Sequence, residues 1–257
     1  MLGLGEAATQ LAKSLLDHGI QVVAHDPAKP KNPIVPLSES AQDSVAGADV
    51  IFSLNSSAAS IRLAEQVSSW LKPGAIYCDL NSSTPSLKKR IAEIVPVGSF
   101  VDVSLMKPAS GSIDNPSMAV SGPAAAKLVE LFEPLGWDLA YVSPVAGDAA
   151  ARNLIQSLVS KGLASVIIDA LWAAKELGLE EWALEELKNE FEISSAQTVQ
   201  GFIDTTGTDS KIHSVALGDV VEMLSDANYE STMLNGIAAT LSKAMHGKKI
   251  PFANAPE

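Results

Sequence analysis

The chain has 257 residues, 47% hydrophobic and 19% charged, the balance of a folded globular protein rather than a disordered one. A formal net charge of −12 disfavours nucleic acid, which requires a basic stripe to neutralise its phosphates, so small molecules are the expected partners. A single cysteine cannot form an intrachain disulfide and fits the cytoplasm, and neither a leader pattern nor an apolar run approaching about eighteen residues points to a membrane.

Near the start, Gly3-Leu4-Gly5-Glu6-Ala7-Ala8 fits the G-x-G-x-x-G/A turn of a dinucleotide site. The first glycine serves the tight turn, the second a close approach of backbone to pyrophosphate, and Ala8 close packing of the following helix. A helix over Ala8–His18, with Leu11, Leu15 and Leu16 on one face, stops at Gly19, and Gln21–Ala24 reads as the next strand. That strand leads to Asp26, whose carboxylate would accept from a ribose 2′-hydroxyl and repel a 2′-phosphate. NAD is therefore the expected cofactor, with NADP left open by Lys29 and Lys31 nearby. Asp26 is equally placed to cap the turn into the Pro-rich stretch Pro27–Pro36. A strand preceding Gly3 needs about five residues, and only Met1 and Leu2 stand there. Either the start of the chain has been set late or cut back, which is the favoured reading, or the site is impaired.

A short helix begun at Ser38-Glu39-Ser40 reaches Ala46. Val50–Leu54, Ala75–Cys78, Phe100–Val103, Ser117–Ser121 and Leu139–Val142 read as strands, separated by helical patterns such as Ala58–Trp70 and Ala124–Leu131. This alternation implies a mostly parallel sheet covered on both faces. Asn55-Ser56 and Asn81-Ser82 close two of the strands. Ligands of open α/β sheets bind outside the carboxyl ends of strands, so these four residues are candidate ribose and nicotinamide contacts, or caps for the following helices. Cys78 reads as a buried small hydrophobe, and Trp137 as core.

After Pro144 the pattern becomes helical throughout. Asp148–Leu177 reads as one helix about 45 Å long, enough to join two domains or cross a dimer interface. Further helices are expected at Glu181–Phe191, Ala196–Ile203, Lys211–Asp226 and Glu230–His246, before a loosely ordered tail over Gly247–Glu257. The expected fold is an α/β Rossmann domain over 1–145, its first strand truncated, followed by an all-helical domain over 146–257 begun by the long helix. Leu154, Ile155, Leu158, Val159, Leu163 and Val166 spread around much of that helix and call for a partner surface, hence a homodimer. Trp172 and Trp182 read as core, and His213 as a core or interface histidine. No Cys/His cluster suggests a metal.

Beyond these periodicities, four segments in order carry a family likeness: Gly3–Ala8, Asp49–Leu54, Lys72–Ser82 and Phe100–Ser104. Together they resemble the β-hydroxyacid dehydrogenase and 6-phosphogluconate dehydrogenase superfamily over nearly the whole chain. Ser121-Gly122-Pro123 and the Lys161-Gly162 pair, eight positions after Asn153, look most like its phosphogluconate dehydrogenase-like branch. The resemblance implies hydride transfer to or from NAD(P), a small hydroxy acid or related carbonyl or imine compound as substrate, and a homodimer. It also implies a catalytic lysine near the start of the long helix with an asparagine three residues later. The best register places Asn153 and Gln156 there, and an amide has no titrating proton near neutral pH. Where the family carries Ser-Gly-Gly after the strand of Asp102, this chain has Met106-Lys107-Pro108, which sets Lys107 against the implied substrate pocket as an anchor or an acid/base, with a solvated loop lysine as the alternative. Lys161 lies about 80° around and about 12 Å along the helix from Asn153, too far to substitute for the lysine, and a structural or dimer-contact role is favoured. The implied cofactor contacts are Gly3, Gly5, Glu6, Ala7, Ala8, Asp26, Asn55, Ser56, Asn81 and Ser82. The alternative is a non-catalytic dinucleotide- or metabolite-binding paralogue on the same scaffold.

Overall fold

The structure, a computed structural model, describes residues 1–28, 30, 33–106, 117–192, 195–247 and 250. It forms two compact units, Met1–Leu158 and Val159–Glu257. The sequence boundary at 145 falls just before the long helix, whereas the division between the units falls within it.

In the first unit, helices α1 (Glu6–Asp17), α2 (Ala41–Val45), α3 (Ser57–Ser68), α4 (Pro85–Ile94) and α5 (Ala125–Phe132) accompany strands β1 (Val50–Ser53), β2 (Ile76–Asp79), β3 (Phe100–Met106), β4 (Ser117–Ser121) and β5 (Leu139–Ser143). The strands form one sheet in the order β1-β2-β3-β4-β5. β1, β2 and β3 are parallel, β4 is antiparallel to β3, and β5 is parallel to β4. The reversal at β4 was not legible in the alternation, but it follows from chain length: a parallel return takes a dozen or more residues, and ten separate Met106 from Ser117.

Beyond β1 the sheet continues as isolated parallel bridges, Leu2 to Ser53, Leu2 to His25 and Ala24 to Leu37. Leu2 N–H donates to Phe52 O and Leu54 N–H to Leu2 O, while His25 N–H donates to Met1 O and Gly3 N–H to His25 O. Met1–Gly3 therefore lies where the first strand of a Rossmann sheet belongs, paired on both sides. The segment expected as strand Gln21–Ala24 is reduced to isolated bridges, His25 to Leu2 on one side and Ala24 to Leu37 on the other.

Alternation along the strands sends neighbouring residues to opposite faces. Phe52, Cys78, Val101 and Val120 pack with Ala8 and Leu15 of α1 and Leu128 and Phe132 of α5. Ile51, Tyr77 and Phe100 pack with Val67 of α3 and Ile91 of α4. Trp137 is core, as expected, and joins Phe52 and Phe132 in an aromatic cluster.

The second unit is helical: the rest of α6 (Asp148–Glu176), then α7 (Glu180–Glu192), α8 (Ser195–Asp226) and α9 (Thr232–Met245). Gly178, at φ +69°, ends α6 where a glycine stop was expected. Two expected helices, Ala196–Ile203 and Lys211–Asp226, are one continuous helix, α8. The stretch contains no proline, and an interior glycine costs only about 1 kcal/mol against alanine, too little to break it. Trp172 and Trp182, expected in the core, are 58% and 63% exposed, because among the described residues none covers their helix faces. Among the described residues, α6 alone is long and apolar enough to cross a membrane, with a mean hydropathy of 1.5 over its most apolar window. No uninterrupted apolar run announced it; the average is carried by Ala, Leu, Val and Ile around scattered polar residues. Asp169 on this helix accepts hydrogen bonds from Tyr229 and Ser231. The expectation for the tail falls, at 248, 249 and 251–257, outside the described residues.

Candidate functional site

Gly3 stands at φ +95°, a conformation L side chains rarely adopt, and a Cβ there would lie 2.1 Å from Leu54 O. Gly5 has an ordinary φ of −73° and caps the N-terminus of α1, yet a Cβ there would meet no protein atom within 4 Å. The first glycine is thus required by the fold, and the second leaves open space at a helix N-terminus, where backbone N–H groups and the helix dipole favour a phosphate. Glu6 and Ala7 are exposed in the first turn of α1, and Ala8 is buried against the sheet.

Asp26 is joined to this turn. Its Oδ2 accepts Leu4 N–H at 2.7 Å and its Oδ1 accepts Ala28 N–H at 2.8 Å. The carboxylate therefore both caps the Pro-rich turn and steadies the glycine turn, and each oxygen keeps a lone pair for a further donor. Lys29 and Lys31 lie outside the described residues.

At the ends of β1 and β2, Asn55 N–H donates to Asn81 Oδ1 at 2.6 Å, and Asn55 Nδ2 donates to Ser53 Oγ at 2.9 Å. Asn55 Oδ1 is buried without a hydrogen-bond partner, as is Ser83 Oγ. A buried acceptor with no partner is costly and points to a ligand donor. Ser56 is the exposed N-cap of α3 but makes no capping hydrogen bond, and Ser82 is exposed, its carbonyl accepting from Ser57 Oγ. Thr84, not Asn81 or Ser82, caps α4.

Asn153 and Gln156 lie three residues apart in the first turns of α6, hence on one helix face, and both are partly exposed. Lys107 lies outside the described residues. Lys161 is exposed on α6 within the second unit. In that unit His213 lines an open cavity of about 760 Å³, together with Val166, Thr206, Leu217, Met233 and Ile237. Burial pushes the Cys78 thiol up from its ordinary value, which leaves it a core residue rather than a nucleophile. Among the described residues no group of three or more His, Cys, Asp or Glu side chains could hold a metal.

Sequence reasoning missed one cluster. Lys88 of α4 is completely buried and sits 2.5 Å from Asp79 Oδ1 and 3.0 Å from Asp102 Oδ1. Its only signal in the sequence was helical spacing, which puts it on one face with Ile91 and Val95.

The glycine turn bare of side chains, the open space at Gly5 and the unpartnered Asn55 Oδ1 fit a dinucleotide: the turn and α1 for pyrophosphate, Asp26 for a ribose, and the Asn55–Asn81 pair for a polar group at the strand ends.

No family model matches the chain. Over 148 residues, 57% of its length, it is 27% identical to an uncharacterized 28.5 kDa protein in the 7S RNA 5′ region of Methanothermus fervidus. The chain spans about half the length of this curated relative, 56% of it. Solved structures match more fully. MTH1747, a conserved protein of unknown function described as structurally similar to 3-hydroxyacid dehydrogenases, superposes with a TM-score of 0.63 at 22% identity, over 95% of this chain and 96% of the other. An imine reductase from Myxococcus stipitatus in complex with NADP+ gives 0.78 at 16% identity, over 97% and 94%. An imine reductase from Aspergillus terreus, in complex with NADPH4 and dibenz[c,e]azepine, gives 0.77 at 17%, over 97% and 93%. The chain shares the fold of these structures, a Rossmann-type α/β domain followed by a helical domain begun by a long helix.

Proposed function

We propose that the protein is an NAD(P)-dependent oxidoreductase that transfers a hydride between nicotinamide and a small hydroxy acid or a related carbonyl or imine compound. The observation that carries this reading is the cradle at Gly3–Gly5, where a fold-enforced glycine stands beside a glycine with nothing over it, at the N-terminus of α1. Structures of the same fold bind NADP+ and, in a Myxococcus stipitatus variant, NAD+. In this reading Gly3, Gly5, Glu6, Ala7 and Ala8 form the pyrophosphate turn, Asp26 receives the ribose hydroxyls, and Asn55, Ser56, Asn81 and Ser82 line the nicotinamide side. Asn153 and Gln156 hold the substrate by hydrogen bonds, and Lys107 is the charged group near it. Bound nicotinamide supplies or accepts the hydride. The protein's part is orientation.

The amides at Asn153 and Gln156 favour an imine over an alcohol among these substrates. An alcohol must lose a proton to a base as it loses hydride, and an amide is no base near neutral pH. A protonated imine needs the hydride alone. The same amides support a second reading, a non-catalytic dinucleotide-binding paralogue. The proposed organisation is a Rossmann domain over 1–145 and a substrate and dimerisation domain over 146–257, acting as a cytoplasmic homodimer. Its support is the apolar face of α6, on which Ile155, Leu158 and Val159 are 62%, 69% and 56% exposed. NADH fluorescence titration followed by a panel of ketones, 2-oxo acids and cyclic imines separates the readings. Turnover supports the enzyme, binding without turnover supports the paralogue, and no binding contradicts both.

A further inference from the structure

A polar row crosses the whole sheet. The strand registers set Ser53 beside Asp79, Asp79 beside Asp102, Asp102 beside Ser121, and Ser121 beside Ser143. It lies one level along the strands from the apolar residues Ile51, Tyr77 and Phe100, and residues two apart share a face. Every member but Ser143 is buried.

Lys88 enters this row from α4 and places its ammonium between the two carboxylates, hydrogen-bonded to Asp79 and ion-paired with Asp102. Nζ donates to Asp79 O at 2.7 Å and to Asp79 Oδ1 at 2.5 Å, and lies 3.0 Å from Asp102 Oδ1. Two chains of hydrogen bonds leave the cluster. In one, Asp79 accepts both N–H and Nδ2 of Asn81, and Asn81 Oδ1 in turn accepts Asn55 N–H, which leaves Asn55 Oδ1 as the open acceptor. In the other, Asp102 Oδ2 accepts Ala150 N–H at 2.9 Å and Ser121 Oγ–H at 3.3 Å, and Ser121 Oγ accepts Ala149 N–H at 2.9 Å.

The second chain replaces an ordinary helix cap. The residue before α6 is Gly147, which has no side chain to cap with, and a Cβ there would come within 2.7 Å of Pro85 O at the start of α4. The first-turn amides of α6 are therefore satisfied by side chains of β3 and β4 instead. A buried carboxylate pair needs a cation, and removing one member leaves charge stranded in the interior. Hydrophobic residues would fill the same space without that hazard, so the network's value lies in its geometry.

We propose that Lys88 is a positioning residue. Through Asp79 and Asp102 it holds the Asn81–Asn55 pair and the first turn of α6 in one frame, and so fixes the start of the helix that carries Asn153 and Gln156 one and two turns further along. The inference rests on the reading of this site as a dinucleotide site, but the network can be tested without ligand. The experiment is residue-resolved amide exchange on ligand-free Lys88→Met. Exchange at Asn55, Ala149 and Ala150 is expected to accelerate at least tenfold more than at Tyr77, bonded to Ser99 O, and Leu128, bonded to Ala124 O. Uniform acceleration would make Lys88 a general stabiliser and overturn the proposal, as would no change at the three sites. Should Lys88→Met not fold, Ser121→Ala leaves the ion pairs in place and is expected to speed Ala149 selectively; unchanged exchange there overturns the proposal. NADH should also bind Lys88→Met at least tenfold more weakly than the unaltered protein, and equal affinity overturns the proposal. If the unaltered protein binds no NADH, the dinucleotide reading falls and the exchange data still decide the network.

Discussion

Alanine at Gly3 and alanine at Gly5 are chemically identical changes two residues apart, and the structure gives them opposite consequences. At Gly3 the left-handed backbone alone costs an L residue about 1–2 kcal/mol. The added Cβ would also stand 2.1 Å from Leu54 O and 2.8 Å from its carbonyl carbon, an overlap that no rotamer change relieves. The backbone must move, and the first bonds at risk are Leu54 N–H to Leu2 O and Gly3 N–H to His25 O, each worth about 1 kcal/mol. Gly3→Ala is therefore expected to lose about 3–4 kcal/mol of stability by urea denaturation. At Gly5 the backbone is ordinary and the space empty, so Gly5→Ala should cost no more than about 1 kcal/mol, the difference between glycine and alanine as an N-cap. Its effect should fall on NADH, whose pyrophosphate would need that space, with a dissociation constant raised tenfold or more in fluorescence titration. Equal destabilisation by the two variants, or undiminished NADH binding by Gly5→Ala, would refute the assignment of the turn.

NADH is expected to bind more tightly than NADPH, with Asp26→Ala narrowing the difference; equal affinities in the unaltered protein would remove Asp26 from the ribose. Burial alone would raise the Asp169 carboxyl, but hydrogen bonds from Ser231, Tyr229 and the backbone N–H groups of Met233 and Thr232 outweigh it and hold it below its ordinary value. A lowered carboxylate contributes stability that is full above about pH 4 and lost as pH falls through the folded value. Asp169→Asn should therefore flatten the acid limb of a denaturation profile followed by helical circular dichroism, and an unchanged limb would show that the contact is idle. Light scattering at micromolar concentration is expected to give the mass of two chains, and a monomer would leave the apolar face of α6 without its proposed cover.

The strands were legible because each is a short apolar run whose alternate residues meet two different helix layers, as Ile51 and Phe52 do. The turn at Gly3, and Asp26 as a cap of the turn into the Pro-rich stretch, were legible because such geometry depends on local spacing. Pairing is not local, and so the alignment of Asp79, Asp102 and Ser121 could not be read along the chain, while the reversal of β4 had only the ten residues between Met106 and Ser117 as its sign. Lys88 was missed because a helical lysine is ordinarily solvated, and only its place on the face of Ile91 argued otherwise. Trp172 and Trp182 were misjudged for the opposite reason: large aromatic residues usually lie in a core, and here their faces find no cover among the described residues.

The central claim is hydride transfer, and it is tested most directly with NADH carrying deuterium at the transferable C4 position. The protein would be incubated with a panel of cyclic imines, ketones and 2-oxo acids, and the products read by mass spectrometry. The account predicts deuterium on the reduced carbon of at least one small imine or carbonyl compound, at a rate that falls with Gly5→Ala. Saturable NADH binding with no label in any product would contradict it and leave a dinucleotide-binding protein without the chemistry.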